Sequence, residues 1–172
     1  MKWFFWVIFL FVQPLYAADF PLKEIKASTV DYDGKRVHLA GAVEIHHRFG
    51  KLFCNKAIIL LSQNSSEQKQ MIASQILLFG NVKVYLQDGT ILLSDEADIN
   101  CKTLEGLFRS KEPSKVMYST FLHDAGKKIP MKATAKAMRV KMKKVEEAGS
   151  TEYVFTDIHG EDAVSIEYQF KE

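Results

Sequence analysis

The chain has 172 residues, of which 47% are hydrophobic and 26% are charged, and its formal net charge at pH 7 is +2. A charge so close to zero does not favour nucleic acid as a partner, since domains that bind nucleic acid usually carry a clear basic excess. Two cysteines exclude a disulfide-dense scaffold. Apolar burial must therefore hold the fold together, and the length is sufficient for one hydrophobic core.

The N-terminal segment is typical of an export signal. Lys2 is followed by the uninterrupted apolar run Trp3–Val12, and small residues follow at Ala17 and Ala18. The run is shorter than the roughly 20 residues that a membrane-spanning helix needs. We therefore expect residues 1–17 to be a cleaved signal peptide, with retention as an anchor as the alternative. Residues 18–172 are then expected to form a single domain.

Two stretches further along the chain share one pattern, 39 residues apart. Each stretch consists of a glycine, a small or polar residue, a valine, a charged residue and a β-branched residue, at Gly41–Ile45 and at Gly80–Val84. In the first copy, the turn Arg48–Gly50 and the second strand Lys51–Ile59 follow. In the second copy, the turn Gln87–Gly89 and the second strand Thr90–Ile99 follow. Alternating apolar residues around an Asp-Gly turn predict β-hairpins. The matched order indicates an internal repeat of about 40 residues.

The C-terminal third carries weaker copies of this pattern, at residues 126–135 and 160–168. Its segment 131–147 is ambiguous, because Ala, Lys and Met favour helix. Met138, Val140 and Met142 nevertheless alternate with basic residues, as in a strand. The position in the repeat favours a strand, and the alternative is a basic amphipathic helix on a membrane surface.

Repeated strands with one apolar face must bury that face against each other. The sequence therefore predicts an all-β protein, either an antiparallel jelly roll or an open, curved solenoid. Both forms end in exposed strand edges, which can recruit further strands.

Several of these residues resemble a known family. Ala27–Asp33 followed by Val37–Val43 looks like the OstA-like repeat, and Gly80–Val82 followed by Ser94–Ile99 is the clearest instance. The resemblance covers residues 27–109 well and the remainder more loosely. The family comprises lipopolysaccharide transport proteins, namely LptA, LptC and the periplasmic domain of LptD. The export signal makes the chain most similar to the soluble, periplasmic LptA.

The resemblance implies a trough-like, open antiparallel β-jelly roll that carries lipopolysaccharide between the inner and outer membranes of a Gram-negative bacterium. The acyl chains of lipid A would lie in the apolar trough. The implied partners are LptC-like and LptD-like proteins and further copies of the chain, joined head to tail through edge strands. The resemblance implies neither enzymatic activity nor a cofactor.

The apolar alternation selects the candidate lipid-binding residues. The repeat register places Phe53, Ile59, Leu93, Ala97 and Ile99 on one face, and the preceding strands supply the matching residues. The groove candidates are Val43, Ile45, Phe53, Ile59, Val82, Val84, Leu93 and Ile99. Any one of them is also consistent with ordinary core packing.

A basic run near the C-terminus is the second candidate feature. Lys132, Lys136, Arg139 and Lys141 are candidate contacts for the phosphates of a glycolipid, because Lys and Arg pair with phosphate oxygens. A solvated face is the simpler interpretation.

We find no pattern that predicts catalysis or metal binding. Asp95, Glu96 and Asp98 are interpreted as solvated or turn-capping carboxylates, and the histidines lack the spacing of a zinc site. Cys54 and Cys101 are expected on opposite faces of their strands, so that a disulfide between them would need a β-bulge. The alternative function is a structural β-solenoid that contacts other envelope proteins through its edges without binding lipid.

Overall fold

The computed structural model describes residues 22–47, 50–63, 71–124, 126–147 and 150–168. The predicted signal peptide and most of the polar loop after Gln63 lie outside these ranges. The described residues form one hydrogen-bonded antiparallel sheet, and no helix occurs among them. Its strands are β1 (Leu22–Lys26), β2 (Thr29–Tyr32), β3 (Arg36–His47), β4 (Gly50–Gln63), β5 (Met71–Leu86), β6 (Ile91–Asn100), β7 (Glu105–Arg109), β8 (Val116–Asp124), β9 (Lys127–Ala135), β10 (Ala137–Glu147), β11 (Ser150–Glu161) and β12 (Ser165–Tyr168).

The predicted repeat corresponds to a repeated β-bulge. Gly41 and Ala42 both have positive φ, at 78° and 49°, and Gly80 and Asn81 repeat this geometry at 74° and 50°. Gly41 and Ala42 lie opposite the single residue Asn55 of β4. In the same way, Gly80 and Asn81 lie opposite the single residue Asp95 of β6. An extra residue of this kind bends its strand sharply.

These bulges lie on β3 and β5, on either side of β4, and bend the sheet along one line, which we call the bend. The line continues where shorter strands meet: Ala27 and Ser28 separate β1 from β2, and Lys136 separates β9 from β10. Backbone bonds hold both junctions, since the Ser28 N–H donates to the Ala40 and Gly41 carbonyls, at 3.0 Å each. The Ser110 N–H donates to the Lys136 carbonyl at 3.1 Å.

The bend divides the sheet into two layers. Layer A contains, in order, β1, residues 43–47, 50–54, 82–86 and 91–94, then β8, β9 and β12. Layer B contains β2, residues 36–40, 56–63, 71–79 and 96–100, then β7, β10 and β11. The inward side chains of both layers form one hydrophobic core, which the Tyr118–Phe155 ring pair crosses at 6.2 Å. The predicted open, antiparallel β-jelly roll is confirmed.

Local predictions agree with this arrangement. The Asp-Gly turn closes the β5–β6 hairpin, where the Leu86 N–H donates to the Thr90 carbonyl at 2.9 Å. The Thr90 N–H donates to the Asp88 carboxylate at 2.8 Å. The ambiguous segment 131–147 is strand, so the helix alternative was wrong. Pairing of β10 with both β7 and β11 outweighs the helical propensity of its Ala, Lys and Met residues.

The bend predicts unequal effects for two glycine substitutions. A Cβ on Gly80 would come within 2.7 Å of the Asn55 amide nitrogen, whereas one on Gly34 would meet nothing within 4 Å. Both glycines have positive φ, so each substitution carries backbone strain of about 1–2 kcal/mol. We expect Gly80→Ala to lower the free energy of unfolding by about 1 kcal/mol more than Gly34→Ala, because only Gly80→Ala adds a clash. Denaturant titration measures both, and equal losses would contradict this role of Gly80.

Candidate functional site

The apolar interior between the layers contains six of the eight lipid-binding candidates. Their side chains are at most 2% exposed and belong to the single core cluster. These six residues are Val43, Ile45, Ile59, Val82, Val84 and Ile99. The interior is therefore apolar, and in the structure its side chains are packed against each other. Whether these residues contact lipid stays a prediction.

The other two candidates lie on the outer face, so their predicted orientation was wrong. Phe53 and Leu93 are half-buried, whereas their neighbours Leu52 and Leu92 are fully buried. The bend separates Phe53 from Ile59 and Leu93 from Ile99. On both β4 and β6 the inward positions shift by one residue at the bend, from Leu52 to Ala57 and from Leu92 to Ala97, so that counting in twos across the bend selects the wrong face.

Polar side chains reinforce the bend on its inner side. The Cys54 thiol donates to the Lys56 carbonyl at 3.1 Å, and the Ser94 hydroxyl donates to the Glu96 carbonyl at 3.0 Å. Both bonds reach two residues ahead, across the bend. Cys54 of β4 and Ser94 of β6 thus make equivalent hydrogen bonds across the bend.

Both ends of the interior are open within the described residues. At the N-terminal end, Val30 and Tyr32 pair with the inward residues Leu39 and Val37, and so they point inward as well. They are nevertheless 60% and 59% exposed. At the C-terminal end, Ile166 pairs with the buried Ala133 and is 53% exposed. Each opening therefore presents apolar side chains that would be core residues if another strand covered them.

The strands that border these openings have hydrogen-bonding edges. Among the described residues, β1 and β2 each pair with β3 alone, β11 pairs with β10 alone and β12 pairs with β9 alone. The N-terminal end thus presents one edge in each layer, and so does the C-terminal end. Such edges are templates for adding a strand.

The basic candidates do not form one cluster. Lys132 lies on the outer face of layer A, Lys136 at the bend, and Arg139 and Lys141 on the outer face of layer B. Arg139 pairs with Glu161 at 2.8 Å and Lys141 with Glu105 at 3.4 Å. The Arg139 guanidinium hydrogen-bonds the Glu161 carboxylate and lowers its pKa. Arg139 and Lys141 thus have carboxylate partners, and both point away from the interior.

The carboxylates of β6 form hydrogen bonds and an ion pair with neighbouring residues of the sheet. Asp95 accepts a hydrogen bond from the Lys111 N–H at 2.8 Å, and it caps the turn that follows β7. Glu96 pairs with the Lys111 ammonium at 2.9 Å, and Asp98 accepts from the Gln75 amide at 2.6 Å. Among the residues that the structure describes, no three His, Cys, Asp or Glu side chains are grouped as metal ligands would be.

Cys54 and Cys101 are both free thiols. The sequence suggested that the two thiols lie on opposite faces of their strands. The bend brings both onto the same face, but it also holds Cys54 and Cys101 apart. Cys54 adjoins the bend, whereas Cys101 follows the far end of β6, roughly 20 Å along the strand. Burial raises the pKa of each thiol to about 11.

No helix in the described part of the chain has the length and hydropathy needed to cross a membrane.

Two bent layers around an apolar, open-ended interior define the protein as an LptA-like β-jelly roll. The chain is similar in structure to LptH of Pseudomonas aeruginosa, the LptA-homologous periplasmic component of the lipopolysaccharide transport device. The TM-score is 0.56, and the match covers 89% of this chain and 96% of LptH at 9% sequence identity. No protein-family model and no curated protein sequence matches the chain. At this identity the likeness establishes the fold, and OstA-like family membership stays a prediction.

The buried thiols predict slow chemical labelling. With a pKa of about 11, only about one thiol in a thousand is ionised near pH 8, and the thiolate is the reactive form. We expect both cysteines to react with a disulfide reagent many times more slowly in the native protein than in concentrated guanidinium. Mass spectrometry before and after unfolding counts the labels. Complete labelling of the native protein at the denatured rate would contradict this burial.

Proposed function

We propose that this protein is a periplasmic carrier that binds lipopolysaccharide and moves it from the inner to the outer membrane. The observation that carries the proposal is an apolar interior, continuous between two layers and open at both ends. The similarity to LptH, a periplasmic transport component, supports the same role. The predicted export signal is consistent with a periplasmic location.

In this proposal, acyl chains enter where inward side chains are already exposed, at Val30 and Tyr32 or at Ile166. Further in, Ile45, Val84 and Ile99 pack within the core rather than against solvent. The layers must therefore separate to admit an acyl chain. Burial of about ten methylenes would contribute about 8 kcal/mol, which offsets the free energy needed to separate the packed layers.

The two pairs of edge strands support a head-to-tail assembly. Strand β12 of one copy would add to β1 of the next in layer A, and β11 would add to β2 in layer B, so that each layer and the interior continue across the junction. The same edges would receive LptC-like and LptD-like partners at the ends of such a bridge. Repeated head-to-tail contacts extend into an open filament when the rotation between copies does not close a ring.

The dense packing of the interior also favours a second candidate function. A β-solenoid that joins other envelope proteins through its edges, without lipid, would need only the core packing already present. Lipid binding distinguishes the two functions.

Photo-crosslinking from the openings tests lipid binding. A benzophenone amino acid at Val30 or Ile166 faces the interior, whereas the same residue at the adjacent Asp31 or Glu167 faces outward. In cells, we expect lipopolysaccharide adducts from the two inward positions and none from the two outward controls. The openings are preferred to Ile45 or Val84, which are too buried to alter without disturbing the fold. Protein crosslinks without lipid adducts would support the structural alternative.

A mixing experiment tests the direction of assembly. Val30→Lys places a charge in the N-terminal opening and Ile166→Lys does so in the C-terminal opening, both at exposed positions. We expect each variant alone to stay monomeric in light scattering and an equal mixture to form heterodimers, because one intact end of each kind remains. Homodimers of either variant alone would contradict a head-to-tail contact.

A further inference from the structure

A groove of about 740 Å³ lies on the outer face of layer A, beside the bend. It is formed by β3, β4 and β5, on the opposite side of the layer from the apolar interior. The residues important here are Lys51, Phe53, Asn55, Asn81, Lys83 and Tyr85. A second hollow of about 300 Å³ shares Lys51 and Tyr85 and extends the groove toward Gly50.

Two aromatic rings and two ammonium groups alternate in this groove. Phe53 lies directly opposite Lys83, and Lys51 lies directly opposite Tyr85. The Phe53 and Tyr85 rings meet edge to face, with centroids 5.7 Å apart and an interplanar angle of 85°. This arrangement depends on the bend, which turns Phe53 outward. The result is an apolar surface with a cation beside each ring.

The two cations are available to a ligand. Neither the Lys51 nor the Lys83 ammonium is within 4.0 Å of a carboxylate among the described residues. Glu44, the acidic residue of the lining, accepts a hydrogen bond from His46 and pairs with Lys26 at 3.8 Å. The His46 hydrogen bond and the charges of Lys26 and Lys51 lower the pKa of the Glu44 carboxyl, so the negative charge of the lining is already engaged.

We propose that this groove binds an anionic saccharide, a sugar ring that carries phosphate or carboxylate. The anionic group lies between Lys51 and Lys83, where charge-assisted hydrogen bonds form. The C–H face of the ring packs on Tyr85, which combines an apolar body with a polar hydroxyl. The amides of Asn55 and Asn81, which can donate and accept, meet the hydroxyl groups of the sugar.

The site is independent of the proposed interior lipid site. The groove and the interior lie on opposite faces of layer A, so each can be tested without altering the residues of the other. Failure of lipid crosslinking from Val30 and Ile166 would leave the saccharide site untouched, and failure of saccharide binding would leave the carrier function untouched.

Titration of the chain spanning residues 18–172 with N-acetylglucosamine 1-phosphate tests the proposal. Calorimetry should show binding at least tenfold tighter than for N-acetylglucosamine or inorganic phosphate alone. Because the contact is partly ionic and exposed, raising the salt from about 0.05 to about 0.5 M should weaken it several-fold. Equal affinity for inorganic phosphate alone would overturn the proposal.

Variants at exposed positions locate the binding. We expect Lys51→Ala with Lys83→Ala, and separately Tyr85→Ala, to weaken binding at least tenfold, whereas Tyr85→Phe retains most of it. Lys35→Ala, in the exposed β2–β3 turn, is the matched control and should bind like the unmodified chain. Thermal unfolding verifies that each variant is folded. Unchanged affinity in the double lysine and Tyr85→Ala variants would overturn the proposal.

A competition with the deacylated saccharide of lipopolysaccharide then distinguishes two sources of the same chemistry. Displacement of the sugar phosphate assigns the groove to a glycolipid head group. Persistence of the sugar phosphate assigns it to a free anionic glycan.

Discussion

The structure depends on one backbone constraint, the alignment of the bulges of β3 and β5 on either side of β4. Hydrogen bonds fix each strand against the next, so a strand that bends alone would break its ladder. Gly41–Ala42 and Gly80–Asn81 adopt the same left-handed pair of conformations, with Asn55 between them. The sheet therefore folds over as a whole. Its two layers, the single core and the openings at both ends all follow from this line.

The same constraint explains how much of the fold and the site could be predicted from the sequence. Gly-x-Val at two positions and the Asp-Gly turn reveal the hairpins, and Val43, Ile45, Val82 and Val84 face inward as their alternation predicts. Phe53 and Leu93 were placed on the wrong face because the inward positions of β4 and β6 shift by one residue at the bend, and no residue within these two strands marks that shift. The glycine that opens each repeat was the available signal, since left-handed φ favours glycine.

Electrostatic predictions depend on which side chains the sheet brings together. The basic run from Lys132 to Lys141 is continuous in sequence but crosses the bend, which distributes it over two outer faces. Conversely, Lys51, Phe53, Lys83 and Tyr85 are distant in sequence and become neighbours through the β4–β5 register. A pattern read along the chain cannot show a cluster formed across strands. It does show the apolar faces, which is why the interior was predictable and the outer groove was not.

Because β3, β4, β5 and β6 pass through both layers without interruption, the proposed opening of the interior would use the bend as its hinge. Opening the interior rotates one layer against the other about a single axis, and the ladders within each layer can stay intact. Widening is then greatest at the turns farthest from the axis and smallest beside Cys54 and Ser94, whose hydrogen bonds bridge it. In the proposed opening, the left-handed residues at Gly41–Ala42 and Gly80–Asn81 would therefore set how far the two layers can separate.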